Sequence, residues 1–335
     1  MDTAAGSVPR IGTKLSAADH AMSVLARFGI GRDSYGIAPG IYCAGTPDAD
    51  SPVLVTANYK LTFDALRKEL SSLSAWILVL DTRGINVWCA AGKSLFSTGE
   101  VIKRVKVTGL DKIVNHRELI LPQLSATGVS AIDVKKECGF RVIWGPIRAN
   151  DIKQFLDAGK KADEPMRRVT FTVSERIVLV PVELSFLGKP TLFILLGFFL
   201  LSGIGTDIFS FKDAWERGLM AAFAYAAGIF AGAVFVPAIL PWLPGKAFSI
   251  KGAVTGIVAA IFVIMALKDV ANTLELAALF LCTTAVSSYL GMNFTGSTPY
   301  TSPSGVEKEM RKAIPVQALA GFASIVLWIG AAFVS

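Results

Sequence analysis

Hydrophobic and polar positions in the first half of the chain form short apolar runs that alternate with stretches of helical period. The runs predict four buried strands, and the stretches predict the helices that connect them. Such alternation is typical of an α/β fold with a parallel sheet. The predicted strands are Pro52–Ala57, Trp76–Leu80, Glu118–Leu121 and Phe140–Trp144. The predicted helices are Ser16–Phe28, Leu61–Leu73, Ser130–Cys138 and Ala149–Ala158, with a further helical stretch between the second and third strands.

Beyond Lys189 the pattern becomes predominantly apolar. Five stretches approach the ~20 residues that a helix needs to cross a membrane. The alternative, buried helices of a soluble domain, requires polar faces that these stretches lack. We therefore predict an all-α transmembrane bundle of five helices. The predicted spans are residues 191–205, 219–240, 253–267, 274–292 and 314–334.

These patterns predict four segments of the chain. Residues 1–45 form a polar, Gly-rich N-terminal lead-in, and residues 46–164 form the α/β domain. Residues 165–189 alternate and then become wholly apolar, with Pro181 inside, which predicts a β-rich connector. Residues 190–335 form the transmembrane domain.

Composition agrees with this division. The chain is 53% hydrophobic and 18% charged, with a mean hydropathy of +0.53. The first 189 residues hold 25 of the 33 Lys and Arg and 19 of the 26 Asp and Glu, a net charge of +6. A disordered chain, a small disulfide scaffold and a purely soluble enzyme are disfavoured. Because the basic residues are scattered among acidic ones, we expect no nucleic-acid partner; an anionic lipid surface explains the charge more simply.

The basic residues of the connections predict the orientation. The N-terminus has no apolar core, so we expect no signal peptide. With the first domain in the cytoplasm, the second and fourth connections carry five Lys and Arg and the outer ones three, as the positive-inside rule favours. We expect a multi-pass protein of the cytoplasmic (inner) membrane, with its C-terminus outside. The inner residues are Lys246, Lys251, Lys308, Arg311 and Lys312, and the outer ones Lys212, Arg217 and Lys268.

Ionisable residues of the apolar half lie near span ends, whereas a transport path would place them within the spans. The spans are instead rich in small residues, which permit close helix packing. The pattern favours an anchor, and a membrane transporter with a cytoplasmic regulatory domain stays the alternative. The ionisable residues are Asp207, Asp213, Glu216, Asp269 and Glu275.

The segment Asp81–Lys93, DTRGINVWCAAGK, carries the candidate chemistry. It follows a predicted strand and enters a short helix, for which Asn86 is a suitable N-cap. Cys89 falls in the first turn, where free backbone N–H groups favour anionic sulfur, and Lys93 lies four residues later on the same face. A thiolate there is a nucleophile or a soft metal ligand.

Other interpretations of Cys89 remain. It could be a small buried hydrophobe, as many free cysteines are. A Cys–His hydrolase would need His20 or His116 brought to it by the fold. Cys43, Cys138 and Cys282 form no CxxC pair with it or with each other, so zinc and iron–sulfur spacings are absent.

Several motifs resemble known corrinoid proteins. NVWCAAGK at Asn86–Lys93 resembles the signature of the corrinoid proteins of anaerobic mercury methylation, the HgcA family, and the resemblance extends over nearly the whole chain. The first half is also similar to the corrinoid domain of the acetogens' corrinoid iron–sulfur protein. The motifs shared with it are VTANYKLT (Val55–Thr62), DTRG (Asp81–Gly84), AAGK (Ala90–Lys93) and GPIRANDIKQFL (Gly145–Leu156).

The resemblance implies a Rossmann-like corrinoid-binding domain whose cap helix supplies Cys89 as the lower axial ligand of cobalt, with cobalamin bound base-off. It implies a cobalamin-dependent methyltransferase of one-carbon metabolism that transfers a methyl group from methyl-Co(III) to Hg(II), forming methylmercury. It implies the ferredoxin-like iron–sulfur protein HgcB as partner and a methylated folate or its methyltransferase as donor. A corrinoid methyl carrier for another acceptor, with mercury methylation as a side reaction, is the alternative.

The resemblance and the positions of strand ends together give a set of candidate corrinoid contacts. Cys89 is the candidate catalytic and cobalt-binding residue. The other candidates are Asn86, Val87, Trp88, Ala90, Ala91, Gly92 and Lys93 around the cap helix; Thr56, Asn58 and Tyr59 after the first strand; Leu121, Pro122, Gln123, Leu124 and Ala126 after the third; and Gly145, Pro146 and Ala149 after the fourth.

Overall fold

The computed structural model describes residues 1–299 and 303–334. They form two compact units. The first comprises Met1–Ala26 and Ile30–Thr170, and the second comprises Arg27–Gly29 and the chain from Phe171 onward.

The first unit is built on a six-stranded sheet with the order β3-β4-β6-β5-β7-β8. The four predicted strands are confirmed as β5 to β8, and they run parallel to one another. One prediction was wrong in part: the sheet is mixed, because β4, from the predicted lead-in, pairs antiparallel with β6. The strands are β1 (Asp2–Thr3) and β2 (Gly6–Ser7), which form a separate hairpin, and β3 (Arg10–Ile11), β4 (Gly40–Ala44), β5 (Val53–Ala57), β6 (Ala75–Leu80), β7 (Glu118–Leu121) and β8 (Arg141–Trp144).

Helices connect these strands and cover both faces of the sheet. Every residue of β5 and β6 is buried, as a strand covered on both faces requires. One core packs α3, α4 and α5 against the sheet, and the other packs α2 and α6 against it. The arrangement is a Rossmann-like layered fold. The helices are α1 (Ala17–Arg27), α2 (Lys60–Arg67), α3 (Val87–Gly92), α4 (Thr98–Thr108), α5 (Ala131–Cys138) and α6 (Ile152–Asp157).

The predicted β-rich connector over residues 165–189 is wrong, because this segment is helical. Thr172 and Glu175 form a reciprocal capping box that starts α7 (Val173–Ile177). Pro181 lies in the first turn of α8 (Val180–Ser185), where its missing N–H costs no helical hydrogen bond.

The second unit contains the apolar helices. Within the described residues, four helices are long and apolar enough to cross a membrane: Phe211–Trp242, Phe248–Leu267, Thr273–Asn293 and Ser304–Ala331. The helix pair Val173–Ser185 and Gly188–Ser202, bent by 57°, makes a fifth span if counted as one. The elements are α9 (Gly188–Ser202), the hairpin β9 (Ile204–Gly205) and β10 (Ile208–Phe209), α10 (Phe211–Ile229), a π-helical turn (Phe230–Phe235), α11 (Val236–Ile239), α12 (Phe248–Leu267), α13 (Thr273–Asn293) and α14 (Pro303–Ala331).

Small residues allow α12 and α13 to approach closely. A Cβ added at Gly256 would lie 2.8 Å from Ser287 Cβ, and one at Gly252 would overlap the Ser287 carbonyl oxygen. The Ser287 hydroxyl donates to the Gly252 carbonyl at 2.7 Å, so a hydrogen bond joins the two helices where their backbones meet. The small-residue pattern of the sequence thus serves helix packing.

A buried ion pair joins α10 to α13. Arg217 Nε lies 2.7 Å from Glu275 Oε1, and both side chains are about nine-tenths buried. The same guanidinium donates to the carbonyls of Ser202 and Trp328 and lies 4.8 Å from the centre of the Trp328 ring. One arginine therefore ties together α9, α10, α13 and α14.

Candidate functional site

A cleft of about 360 Å³ opens where the connections of the sheet diverge. From β5 the chain passes to β6 on one side, and it later returns to β7 on the other side. In the described strands, β5 and β7 are paired at Leu54 and Ile120, whereas β5 and β6 are paired at five positions. Ligands of open α/β sheets bind at such a switch point, outside the carboxyl ends of the strands.

The cleft is lined mostly by apolar side chains. Its floor comes from β5 and β7, and its walls come from α2, the start of α3 and the segment after β8. The lining residues are Leu54, Val55, Thr56, Thr62, Ala65, Leu66, Asn86, Val87, Trp88, Ile120, Leu121, Pro122, Leu124, Gly145, Pro146, Ile147, Arg148, Ala149 and Ile152.

The helix α3 places Cys89 at the surface. Asn86 caps the helix, and its Oδ1 accepts the Cys89 N–H at 2.9 Å. Val87, Ala90 and Ala91 face the core, which leaves Trp88 and Cys89 exposed. The interpretation of Cys89 as a small buried hydrophobe is therefore wrong.

The surface beside Cys89 has room for a large ligand. An added Cβ on Gly92 would meet no atom within 4 Å, and Lys93, which ends the helix, is exposed. On the inner side, a Cβ on Gly128 would lie 3.0 Å from Ala91 Cα and overlap the Phe96 carbonyl oxygen. A glycine at position 128 thus lets the loop after β7 seat α3 against the core.

The loop before α3 is held by Asn58. Asn58 Oδ1 accepts the N–H groups of Thr82 at 3.0 Å and Gly84 at 2.9 Å, and its Nδ2 donates to the Ile37 carbonyl at 3.3 Å. The Thr82 hydroxyl lies 2.9 Å from the same Oδ1. Arg83 and Gly84 both have positive φ, 55° and 70°, which is strained for arginine. The Asn58 carboxamide stabilises this turn from beneath.

The predicted contact residues divide into two groups. The structure brings ten of them together in the cleft: Thr56, Asn86, Val87, Trp88, Leu121, Pro122, Leu124, Gly145, Pro146 and Ala149. Outside its lining are Asn58, Tyr59, Cys89, Ala90, Ala91, Gly92, Lys93, Gln123 and Ala126.

Three residues of the second group have structural partners. Asn58 supports the turn before α3. Tyr59 is buried at the start of α2, beneath the Arg32 guanidinium at 5.7 Å from the ring centre. The Gln123 amide oxygen accepts from Arg167. Contact between any of these residues and a corrinoid stays a prediction.

Sequence reasoning missed the wall formed by α2. Thr62, Ala65 and Leu66 line the cleft and are spaced i, i+3, i+4, which places them on one helix face. The spacing of these three residues was visible in the sequence. The position of their helix face beside the switch point of β5 and β7 was not. Arg148, the one charged side chain in the cleft lining, was also missed, because the sequence alone does not show that this part of the segment after β8 lines the cleft.

The donor atoms fit a prosthetic group better than a bare metal ion. Among the described residues, no three His, Cys, Asp or Glu side chains are grouped so that they could hold a metal. A single exposed thiol beside an apolar cleft suits a large, flat cofactor that brings most of its own metal ligands. The open space over Gly92 is consistent with that fit.

Comparisons with known proteins find similarity to part of the first unit. Residues 32–156 match the family model of the CO dehydrogenase/acetyl-CoA synthase delta subunit. Two similar proteins are acetyl-CoA decarbonylase/synthase complex gamma subunits. The one from Methanopyrus kandleri is 35% identical over 129 residues, 38% of this chain and 27% of the relative. The one from Archaeoglobus fulgidus is 32% identical over 123 residues, 36% of this chain and 26% of the relative.

The chain thus spans about a quarter of the length of these relatives, and the matched segment is the unit that carries the cleft. The matches indicate a corrinoid iron–sulfur protein-like domain. Residues 32–156, which carry the switch-point cleft and the exposed Cys89, are thus the part of the chain that is similar to these subunits.

Proposed function

We propose that the protein is a membrane-anchored, corrinoid-dependent methyltransferase that transfers a methyl group to Hg(II). The observation that carries this proposal is Cys89, an exposed thiol on a capped helix at the edge of an apolar cleft. A corrinoid domain that carries methyl groups needs no such thiol if a nucleotide base or water is the lower ligand. A thiol there suggests ligation by sulfur.

In this proposal Cys89 would be the residue that holds the cobalt of a bound corrinoid. Asn86 fixes the first turn of α3, and the buried Val87, Ala90 and Ala91 hold the helix on the core, so the backbone of Cys89 is held in place before the cofactor binds. The apolar floor, Leu54, Ile120 and their neighbours, excludes water from the face of the ring. Pre-organisation of this kind keeps a ligand in a productive position.

A corrinoid held in this cleft would supply a methyl group for transfer with carbanion character, and its turnover would need two electrons from a separate reductant. The role of the Cys89 thiolate would be to donate electron density to the bound cofactor, which would favour transfer of the methyl group with both bonding electrons. Hg(II) would be the electrophile that accepts the methyl group, with methylmercury as the product.

The reductant and methyl donor are separate molecules in this proposal. The described residues hold no cysteine cluster for an iron–sulfur centre. We therefore infer a ferredoxin-like iron–sulfur partner, HgcB in the resembling family, and a methylated folate or its methyltransferase as donor. The apolar helices anchor the protein in the cytoplasmic membrane, with the corrinoid domain inside.

The Cys89→Ala variant tests the axial ligand. We expect loss of the thiolate-type cobalt absorbance and at least a ~100-fold fall in methylmercury formation, because a direct ligand is removed and the loss of even an outer partner of a metal ligand costs about 10–100-fold. Cys43→Ala and Cys138→Ala are matched controls, since Cys43 is buried and the Cys138 thiol faces the Val134 carbonyl at 3.1 Å. Unchanged absorbance and methylation in Cys89→Ala would exclude the ligand role.

A second candidate is a methyl carrier for another acceptor, with mercury methylation as a side reaction. The similarity to acetyl-CoA decarbonylase/synthase gamma subunits favours it. The protein reconstituted with its reductant should be offered Hg(II), thiols and a nickel centre in competition. Faster transfer to an acceptor other than Hg(II) would replace the mercury proposal but retain the corrinoid site.

A further inference from the structure

Helix α1 has its polar side inward and its apolar side outward. Ala26 is buried, and Asp19, Ser23 and Arg27 are half-buried on the same side. The opposite side carries Ala18, Ala21, Met22, Leu25 and Phe28, all exposed. These five residues follow the i, i+3, i+4, i+7 spacing of one helix face, and we call them the α1 stripe.

An ion-pair cluster fixes this orientation. Asp19 Oδ1 lies 2.8 Å from Lys60 Nζ and its Oδ2 lies 2.8 Å from Arg67 Nη2. Asp64 pairs with the same two basic side chains, at 2.6 Å from Arg67 Nε. Hydrogen bonds from Lys60 first, and then from Ser16 and Arg67, hold the pKa of Asp19 well below its usual range. Because the polar side is tied to α2, the helix cannot rotate to bury its stripe.

The stripe continues past the helix. Leu25 is 38% exposed, Phe28 51% and Ile30 59%, so large apolar side chains lie together at the C-terminal end of α1. Isolated exposed apolar residues are ordinary on protein surfaces, but a contiguous row marks a surface that something covers.

Charge and chain position indicate what covers it. Asp19 is the one carboxylate in α1 and it is already paired, whereas the exposed Lys14 places a positive charge just before the helix. Arg27–Gly29 belong to the same compact unit as the apolar helices. Within that unit a Cβ on Gly29 would lie 2.7 Å from Ser185 Oγ, and Ser185 ends α8, three residues before α9 begins. The stripe therefore ends near the point where the chain enters its first apolar helix.

From these observations we propose that the α1 stripe lies in the headgroup region of an anionic bilayer, as an interfacial helix of the same membrane that the apolar helices cross. Interfacial helices combine a row of apolar side chains with flanking lysine and arginine, and they bind lipid through both. This inference does not depend on corrinoid or mercury chemistry.

Site-directed spin labelling tests the proposal in the full-length protein. The protein is placed in nanodiscs of phosphatidylcholine and phosphatidylglycerol, in a Cys89→Ala background that removes the exposed native thiol. Labels are introduced one at a time by Met22→Cys and Leu25→Cys in the stripe and by His20→Cys, at an exposed position of α1 outside the stripe. Ile132→Cys, at an exposed position of α5, is the aqueous control.

The accessibility of each label to oxygen, which concentrates in lipid, is then compared with its accessibility to a water-soluble nickel chelate. We expect the ratio of oxygen accessibility to nickel accessibility to be at least severalfold higher for labels at 22 and 25 than for labels at 20 and 132. Each substitution replaces an exposed side chain, so the fold should persist. Equal, water-like accessibility at 22, 25 and 132 would overturn the proposal. Labels that become protected only when an iron–sulfur protein is added would also overturn it, because the stripe would then be a protein-docking surface.

Discussion

Cys89 and Cys138 lie at opposite ends of two short helices in the same unit, and their surroundings differ in almost every respect. Cys89 is in the first turn of α3, exposed, with its N–H bound by the Asn86 cap. Cys138 is the last residue of α5, half-buried, with its thiol directed at the Val134 carbonyl. Burial raises the pKa of the Cys138 thiol, which keeps it protonated and inert.

The comparison teaches that the residue type carries little information by itself. What makes Cys89 a candidate ligand is the set of residues that seat α3: Asn58 below the preceding turn, Gly128 behind the helix and Asn86 at its start. Changes at these three positions should alter the reactivity of Cys89 while leaving Cys138 as it is.

Asn58→Ala should have the largest effect. It removes the acceptor of the Thr82 and Gly84 N–H groups and leaves the Thr82 N–H buried without a partner, at a cost of about 3 kcal/mol. Amide hydrogen exchange across residues 82–92 should rise, and alkylation of Cys89 by a charged reagent should change several-fold. Asn58→Asp keeps the Oδ1 acceptor, so its hydrogen exchange should lie between that of the unchanged protein and that of Asn58→Ala. Unchanged exchange in Asn58→Ala would show that the turn is held by something else.

Gly128→Ala should displace α3 directly. The new methyl group overlaps the Phe96 carbonyl and crowds Ala91, and such overpacking costs about 2 kcal/mol. Thermal unfolding and the cobalt absorbance of the corrinoid-loaded protein should both be affected.

Gly92→Ala is the matched control for Gly128→Ala, because its methyl group meets no protein atom. Under the proposed function it should leave thermal unfolding unchanged and weaken corrinoid binding. Corrinoid binding at full affinity in Gly92→Ala would place the cofactor away from this surface.

Asn86→Ala should have a smaller effect, about 1 kcal/mol, as for the loss of other N-caps. Hydrogen exchange at the start of α3 should increase and the cobalt–thiolate absorbance should weaken. Ser130→Ala removes the corresponding cap of α5, where Ser130 Oγ accepts the Asp133 N–H at 3.3 Å. That control should loosen α5 to the same degree without altering the cobalt spectrum.

The pH dependence of Cys138 should give the smallest effect. Its folded-state pKa is raised, so its contribution to stability is complete below the ordinary thiol pKa and is lost as the pH rises above it. Alkylation of Cys138 in Cys89→Ala should therefore be very slow at neutral pH and accelerate only in strongly alkaline buffer. Rapid alkylation at neutral pH would contradict the burial of this thiol.

Much of the first unit could be predicted because its signals are local. The apolar runs that became β5 to β8 are buried on both faces, and the helices between them carry recognisable caps such as Ser130. β4 was missed because its sequence, GIYCA, is short and begins with glycine. Its antiparallel pairing with β6 is a long-range contact that no local pattern encodes.

The failed connector has a physical cause as well. Residues 165–184 alternate like a strand, but the Thr172–Glu175 capping box satisfies the N–H groups at a helix start, and Pro181 is harmless in a first turn. The candidate site likewise contains some residues that the sequence identifies and others that only the fold reveals. Cys89 and Asn86 were identifiable from the motif, whereas the role of Asn58 depends on a partner 24 residues away in the chain, Thr82.

The ion pair between Arg217 and Glu275 has a consequence for biosynthesis. The two residues are 58 positions apart, on α10 and α13, so α10 is complete well before its counter-ion has been translated. During synthesis Arg217 must remain solvated or at the lipid surface, because an unpaired charge is costly inside a bilayer. The final seating of α10 therefore waits for α13, and truncation before residue 275 should leave a nascent chain whose α10 is loosely inserted and open to proteolysis.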